Sequence, residues 1–530
     1  MKRLHLLTVV AIALALGLGI TASSSSASAN HNNGTSRTNN GTSGKPVYGG
    51  SLVMARGDDN SDLLPPETSN NADIWVLQQI YETLTVTNAK GLGVDPLLAT
   101  SWKTSNHGLT WTFAIRKGVT FQSGQSMTAK DVAWSLNFDR TPGTTNQWSS
   151  LFTAIRSIKA TNANTVAIHL SAPWPALPEY LALFATAIYP TNFGGHSVTY
   201  MRTHPDGTGP FELKDWIVGQ SLTIVKNKNY WKKGLPYLAS VTFNLVAADS
   251  TRALQLEGGQ ANIDEFPAPT TMATLAKSSG IVTKAFPSSG LLFININNRV
   301  PGLNDPAVRR AMAYAVDRNA IVKTVLDGFG QPANSFLSPS LRGHDNSVDG
   351  GVYSIAKAKA EMAKSKYPNG LPTPITIEIA TGFSVRLEVA EIIQQSWAKI
   401  GIKATIKVEN GLIVSADHRA GKFDVQIVFS TSDVVDPLEM VSFLVLTKHG
   451  GINSGYDNPQ VYAWAKQAGS EANIAAQNVL LAKMQQTVAD DSPFIPVAYQ
   501  PQLYAYSNKV HGFSSEMLGT YTFRTTWLGK

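Results

Sequence analysis

Two spacings of apolar residues alternate along this chain. Over 109–116 every second residue is apolar (Leu109, Trp111, Phe113, Ile115), which puts one set on one face and predicts a half-buried strand. Lys117-Gly118 then turns the chain. Shorter stretches at 51–55, 166–170, 222–225, 241–245, 261–266, 291–295, 425–429 and 494–499 read the same way. Between them the spacing becomes helical. Ile74, Leu77, Ile80 and Tyr81 predict a helix over 72–83. Thr128 with Asp131 forms a capping box ahead of a helix through 132–138. A short helix is expected at 178–184. Asp249 or Ser250 is expected to cap a helix that stops at Gly258-Gly259. Asp305-Pro306 starts another, expected to run to about Leu326. Residues 375–380, 385–400 and 404–408 predict strand, helix, strand. In that helix Val389, Ile393, Trp397 and Ile400 share one face, so Trp397 is assigned to the core. A last helix is expected over 472–490. Alternating strands and helices predict an α/β protein with mixed sheets.

The N-terminus follows neither period. Lys2 and Arg3 precede a stretch to Ile20 that is apolar except for His5 and Thr8, and Ala27-Ser28-Ala29 follows small residues. Basic, apolar, then small-x-small is the layout of a secretory signal peptide over 1–29, with cleavage after Ala29 and an uncleaved anchor as the alternative. Residues 30–47 are mostly Asn, Gly, Ser and Thr and read as a disordered linker. No other segment reaches 18 apolar residues, so a multi-span membrane protein is excluded.

Composition narrows the chemistry. The chain has no cysteine, which excludes disulfides, thiolate metal sites, thiol nucleophiles and a lipid on an N-terminal cysteine. The expected product is exported and not lipid-anchored, in the periplasm or outside the cell at the outer face of the cytoplasmic membrane. About 480 residues follow the linker, enough for two or three domains. Without Lys2 and Arg3, 42 basic residues face 37 acidic ones. That modest surplus, with no run of five Lys or Arg, does not point to nucleic acid. No G-x-S-x-G, H-E-x-x-H or P-loop occurs, and the ten histidines form no i, i+4 pair. No catalytic residue, metal site or cofactor is assigned, and a monomer is expected.

Several segments carry a resemblance. They are Leu97-Leu-Ala-Thr-Ser-Trp102, the stretch from Gly108 to Phe121, Ser126 to Val132, Gly207 to Phe211, Asn229-Tyr-Trp231, Tyr237 to Phe243, Asp249 to Ile263, and Asn297 to Arg318 with Asp305 and Val308-Arg309. In wording and order they resemble the extracellular solute-binding proteins of family 5, the peptide- and nickel-binding group of bacterial ABC importers, over roughly residues 48–530. The resemblance implies a two-lobed periplasmic-binding-protein-like fold (type II, large peptide-binding subclass) with an inserted subdomain in lobe one. Lobe one would comprise 48–68, 186–292 and 496–530, the insert 69–185 and lobe two 293–495, with crossovers near 291–297 and 493–499. It also implies capture of a small molecule, expected to be an oligopeptide, for an ABC permease complex in the membrane. An oligosaccharide or a metal chelate is the alternative ligand, and an exported enzyme the more distant one.

The candidate ligand residues follow from that resemblance. Asp433, in Ser432-Asp-Val-Val-Asp-Pro437, matches the aspartate that pairs with a peptide's α-ammonium in peptide-binding members, although Ser430 stands where such members often carry Trp. An ammonium leaving water needs a carboxylate partner. Trp148 belongs to a loop that reaches the cleft in the family and could stack on a peptide plane. Arg56 and Asp58, with the residues to Ser61, fall on the loop after the first strand, which the family also places in the cleft. Arg386 matches no known family ligand residue. It opens the 385–400 helix and could take a ligand carboxylate in a bidentate grip, or be simply solvated.

Overall fold

The computed structural model describes residues 44–143, 146–447 and 451–529. The expected signal peptide and nearly all of the expected linker lie outside the described residues. Pro46–Lys530 form a single unit. Its first lobe is built on a seven-stranded sheet in the order 281–286, 502–507, 263–265, 51–56, 240–245, 221–226, 211–217. The strand Ser51–Arg56 runs parallel to Ser240–Leu245 and to Ile263–Glu265. Leu52, Met54, Val241 and Phe243 project from these strands into a core that the helix Asn71–Ile80 closes with Trp75, Val76 and Ile80.

The insert is a four-stranded antiparallel sheet in the order 99–105, 110–115, 165–170, 155–162. The strict alternation over Thr110–Ile115 is kept: Trp111, Phe113 and Ile115 are buried and the residues between them are not. Helix Ala129–Asp139 covers this face with Val132 and Leu136. The capping box forms, with Asp131 accepting from the Thr128 amide at 2.8 Å.

The second lobe is built on a six-stranded sheet in the order 331–332, 494–499, 291–296, 425–430, 375–380, 404–409. Leu291–Ile296 lies between two neighbours and is buried along its whole length, so both faces are packed and, apart from Asn295, apolar rather than alternating. Helix Ser384–Ala398 packs Val389, Ile393 and Trp397 onto the sheet, and the Trp397 Nε1 donates to the Met312 carbonyl at 3.2 Å.

Three local expectations change. The helix from Pro306 is two helices, Pro306–Tyr314 and Arg318–Thr324. Asp317 starts the second by accepting the Ala320 amide, and a cap residue needs non-helical backbone, so the run breaks there. Asp249 is not a cap but the first residue of its helix. Its carboxylate is taken by Arg252, the Ala268 amide and Thr271. The strands at 291–296 and 494–499 are paired with each other inside the second sheet, so the chain crosses between sheets at 287–290 and 500–501. At that crossing the Gln500 amide donates to the Gly290 carbonyl at 3.0 Å. A Cβ on Gly290 would stand 2.8 Å from the Gln500 carbonyl oxygen, Phe429 Cζ and Ser288 Oγ, so the two crossing strands approach this closely because Gly290 has no side chain. Among the described residues no helix is long and apolar enough to cross a membrane.

Candidate ligand cleft

In open α/β sheets ligands collect outside the carboxyl ends of parallel strands. Here the carboxyl ends of the two lobes' parallel strands carry the candidate residues. In lobe one the strand Ser51–Arg56 leads into the 57–64 loop. In lobe two Ile375–Ala380 leads to Arg386, and Val425–Ser430 leads to the 431–437 loop. These two strands run parallel, so their ends share one edge of the sheet.

Side-chain contacts cross from one lobe to the other along this edge. Val434 is 1% exposed and sits in the core of the insert, although it belongs to a lobe-two loop. Arg342, also of lobe two, places a guanidinium nitrogen 3.3 Å from Asp436 and 3.8 Å from Glu179 of the insert. The Tyr180 hydroxyl interacts with Asp436. Burial, helped by the Asp436 charge, pushes the Glu179 carboxyl up to about 7, and Arg342 offsets only part of that. The Ser432 amide donates to Ser289 Oγ at the crossing, at 2.9 Å.

Among these bonded groups, two charges have no such partner. The Asp433 carboxylate is half-buried and makes no hydrogen bond or ion pair, and desolvation raises its pKa. The Arg386 guanidinium stacks on the Phe383 ring at 3.8 Å and makes no side-chain hydrogen bond. Desolvation lowers it to about 10, and its one electrostatic partner is Asp58 of lobe one, outside ion-pair distance. Asp58 is exposed. The structure thus brings Asp58 and Arg386 to facing sides of the cleft.

The other candidates are engaged within their own lobes. Arg56 is 1% exposed and directed inward. Its Nε meets Glu265 Oε2 at 3.0 Å, one terminal nitrogen donates to the Ala72 carbonyl, and the group lies over Trp75 and Phe243. The alternation of its strand continues one residue further than the loop assignment allowed, so residue 56 still belongs to the sheet. Asn60 and Ser61 are held by Asp73, and Asp59 takes the Gly219 amide at 2.6 Å. Trp148 packs edge-on against Phe184 at 5.1 Å and donates Nε1 to the Thr68 carbonyl at 2.8 Å. Ser430 ends its strand opposite Leu291 and its hydroxyl reaches only the Thr431 carbonyl.

Sequence reasoning missed Glu179, Arg342, Asp436 and Glu439. Asp436 lies in the segment quoted for Asp433 and could have been found there. Glu179 and Arg342 stand 163 positions apart in the chain, and nothing local marks them as a pair. Among the described residues no group of three or more His, Cys, Asp or Glu could hold a metal ion.

Two lobes joined by a double crossing, with the Asp433 and Arg386 charges at the carboxyl ends of their strands, give the architecture of a two-lobed binding protein. The family model for bacterial extracellular solute-binding proteins, family 5 Middle, matches residues 93–451, and the chain belongs to that family. The family is one of ABC-importer solute-binding proteins, not enzymes. The glutathione-binding protein GsiB of Shigella flexneri is 29% identical over 489 residues, covering 87% of this chain and 91% of GsiB. The periplasmic binding protein DppA of Helicobacter pylori, solved with the peptide STSA, superposes with a TM-score of 0.84 at 25% identity, covering 91% of this chain and 99% of DppA. The oligopeptide-binding protein AppA of Bacillus subtilis, solved with a nonapeptide, gives 0.83 at 25% identity, covering 92% and 100%.

Proposed function

We propose that this chain, exported by its N-terminal leader, captures an oligopeptide between its lobes and delivers it to an ABC permease. The observation that carries this reading is the lone Asp433 carboxylate, half-buried, desolvated, and without a partner of its own. Such a group favours a cation that can replace water on it, and a peptide's α-ammonium supplies three N–H donors. Arg386 is the complementary charge and suits the peptide's carboxylate. The peptides bound to DppA and AppA and the glutathione of GsiB are consistent with this ligand class.

Thermal unfolding with added tri-alanine, N-acetylated tri-alanine, glutathione and an oligosaccharide tests it. A ligand that binds only the folded chain adds about 2.7 kcal/mol at 100 times its dissociation constant. Free-amine peptides are expected to raise the midpoint and the acetylated peptide is not. Asp433→Ala is expected to lose the response to free-amine peptides while still folding. A response to the oligosaccharide alone would refute the peptide reading.

A further inference from the structure

Directly behind Asp433 lies Glu439, 5% exposed. Its Oε2 stands 2.8 Å from Ser432 Oγ, and the Asp433 backbone amide faces the same carboxyl group. That Ser432 Oγ is also 2.6 Å from the Val434 carbonyl oxygen. A hydroxyl has one proton to donate, whereas a carbonyl can only accept. The contact to Val434 is the shorter of the two, which places the Ser432 proton there. The remaining contact joins two oxygens and needs a proton from Glu439.

The surroundings favour that proton. The ionisable groups around the pair are Asp436 on the same loop, Glu179 and Tyr180 from the insert, and Arg342 from lobe two. Arg342 is the one cation, and it is engaged with Asp436 and Glu179. Burial raises Glu439 and the Asp433 charge raises it further, while the hydrogen bonds at Ser432 and the Asp433 amide offset only part of that.

We propose that Glu439 is a neutral carboxylic acid that donates to Ser432, sets the 432–434 turn, and leaves Asp433 as the single negative charge offered to a ligand's ammonium. This rests on the reading of Asp433 as the ammonium's partner. Glu439 is a positioning residue: it touches the loop and not the ligand. Its protonated state keeps the Ser432 bond to Val434, the residue that seats this loop in the insert. Losing the proton to solvent would turn the Ser432 hydroxyl toward the carboxylate and release Val434. It would also put a second negative charge beside Asp433. One charge suits one ammonium group, and so selects monocationic ligands over divalent ones.

The sign of the pH effect follows. A carboxyl group whose folded-state pKa is raised stabilises the fold below its unfolded pKa, and that contribution is lost as pH rises through the folded one. Glu439→Gln tests this, because the glutamine amide donates to Ser432 Oγ as the acid does but does not titrate. The infrared difference spectrum of the ligand-free full chains at about pH 7, wild type minus Glu439→Gln, is expected to show the band of a protonated carboxylic acid. Between about pH 6 and about pH 9 the unfolding midpoint of the wild type is expected to fall relative to the variant. Tri-alanine affinity at about pH 7 is expected to be unchanged in the variant. A difference spectrum with no acid band, or a gap between midpoints that does not move with pH, overturns the proposal. If the variant does not fold, carboxyl NMR of the wild type labelled at glutamate, with the Glu439 resonance assigned, decides: a Glu439 carboxyl still protonated at about pH 7 supports the proposal, and an ionised one overturns it. If tri-alanine binds neither protein while the acid band is present, the peptide reading fails and the protonated Glu439 stands.

Discussion

Arg56 and Asp433 are both charges that burial penalises, one at the end of a central strand in lobe one and the other just past such a strand in lobe two. Arg56 has its charge answered inside its own lobe, although one terminal nitrogen, Nη2, is buried without a hydrogen-bond partner. Glu265 lies 3.0 Å away, Tyr521 donates to the other oxygen of that carboxylate at 2.6 Å, and two aromatic rings enclose the guanidinium. Asp433 has no opposite charge in contact, and its nearest ionisable neighbour is another acid, Glu439. A buried charge that the fold has matched is part of the architecture. A desolvated charge left unmatched can take its partner from outside, which is the role proposed above for Asp433.

The comparison can be broken at its matched end first. Glu265→Ala strands the Arg56 guanidinium and is expected to cost about 3–5 kcal/mol in denaturant unfolding. Replacing both partners, as Arg56→Met with Glu265→Leu, is expected to recover most of that loss, because the desolvation penalty disappears with the charges. A cost near zero for the single change would show that Arg56 does not depend on Glu265.

At the unmatched end the expected effects move from stability to affinity. Arg386→Met removes a guanidinium that makes no hydrogen bond in the ligand-free chain, so the unfolding midpoint is expected to hold. Affinity for a free-carboxylate peptide is expected to weaken by roughly 1.5–3 kcal/mol, the worth of a hydrogen bond to a charged group. Isothermal titration with the free and the C-amidated peptide checks this, since the amidated one should bind wild type and variant alike. Equal loss for both would assign Arg386 to packing. The smallest effect is expected at Trp148. Trp148→Phe keeps the ring contact with Phe184 and loses the bond to the Thr68 carbonyl, for about 1 kcal/mol of stability and no change in peptide affinity. A large change in affinity would return Trp148 to the ligand surface.

Much of the fold was legible because its signals are local. The alternation of 110–115, the capping box at Thr128 and the Val389–Ile393–Trp397 face all appear where periodicity puts them. The strands Ala99–Ser105, Ile155–Asn162, Phe211–Ile217, Ile281–Phe286 and Gln502–Ser507 were missed. The first two are the outer strands of the insert and the other three belong to the first sheet, where pairing with distant strands supports them. The site was legible only in part. Asp433 carried a family motif, but a motif does not say whether its carboxylate is free. Arg56 and Trp148 carried the right chemistry, and the tertiary structure directs both into their own lobe.

What the sequence determined by itself is therefore most of the elements, the two-lobed family to which they belong, and the segment that holds the candidate carboxylate Asp433. Local periodicity and short motifs are enough for that. The tertiary structure alone decided which charges are satisfied. Glu265 meets Arg56 from 209 residues away, Arg342 spans the lobes between Glu179 and Asp436, and Glu439 closes behind Asp433 through one serine hydroxyl. Electrostatic pairing depends on distance and desolvation in space, and neither quantity is written in the order of residues.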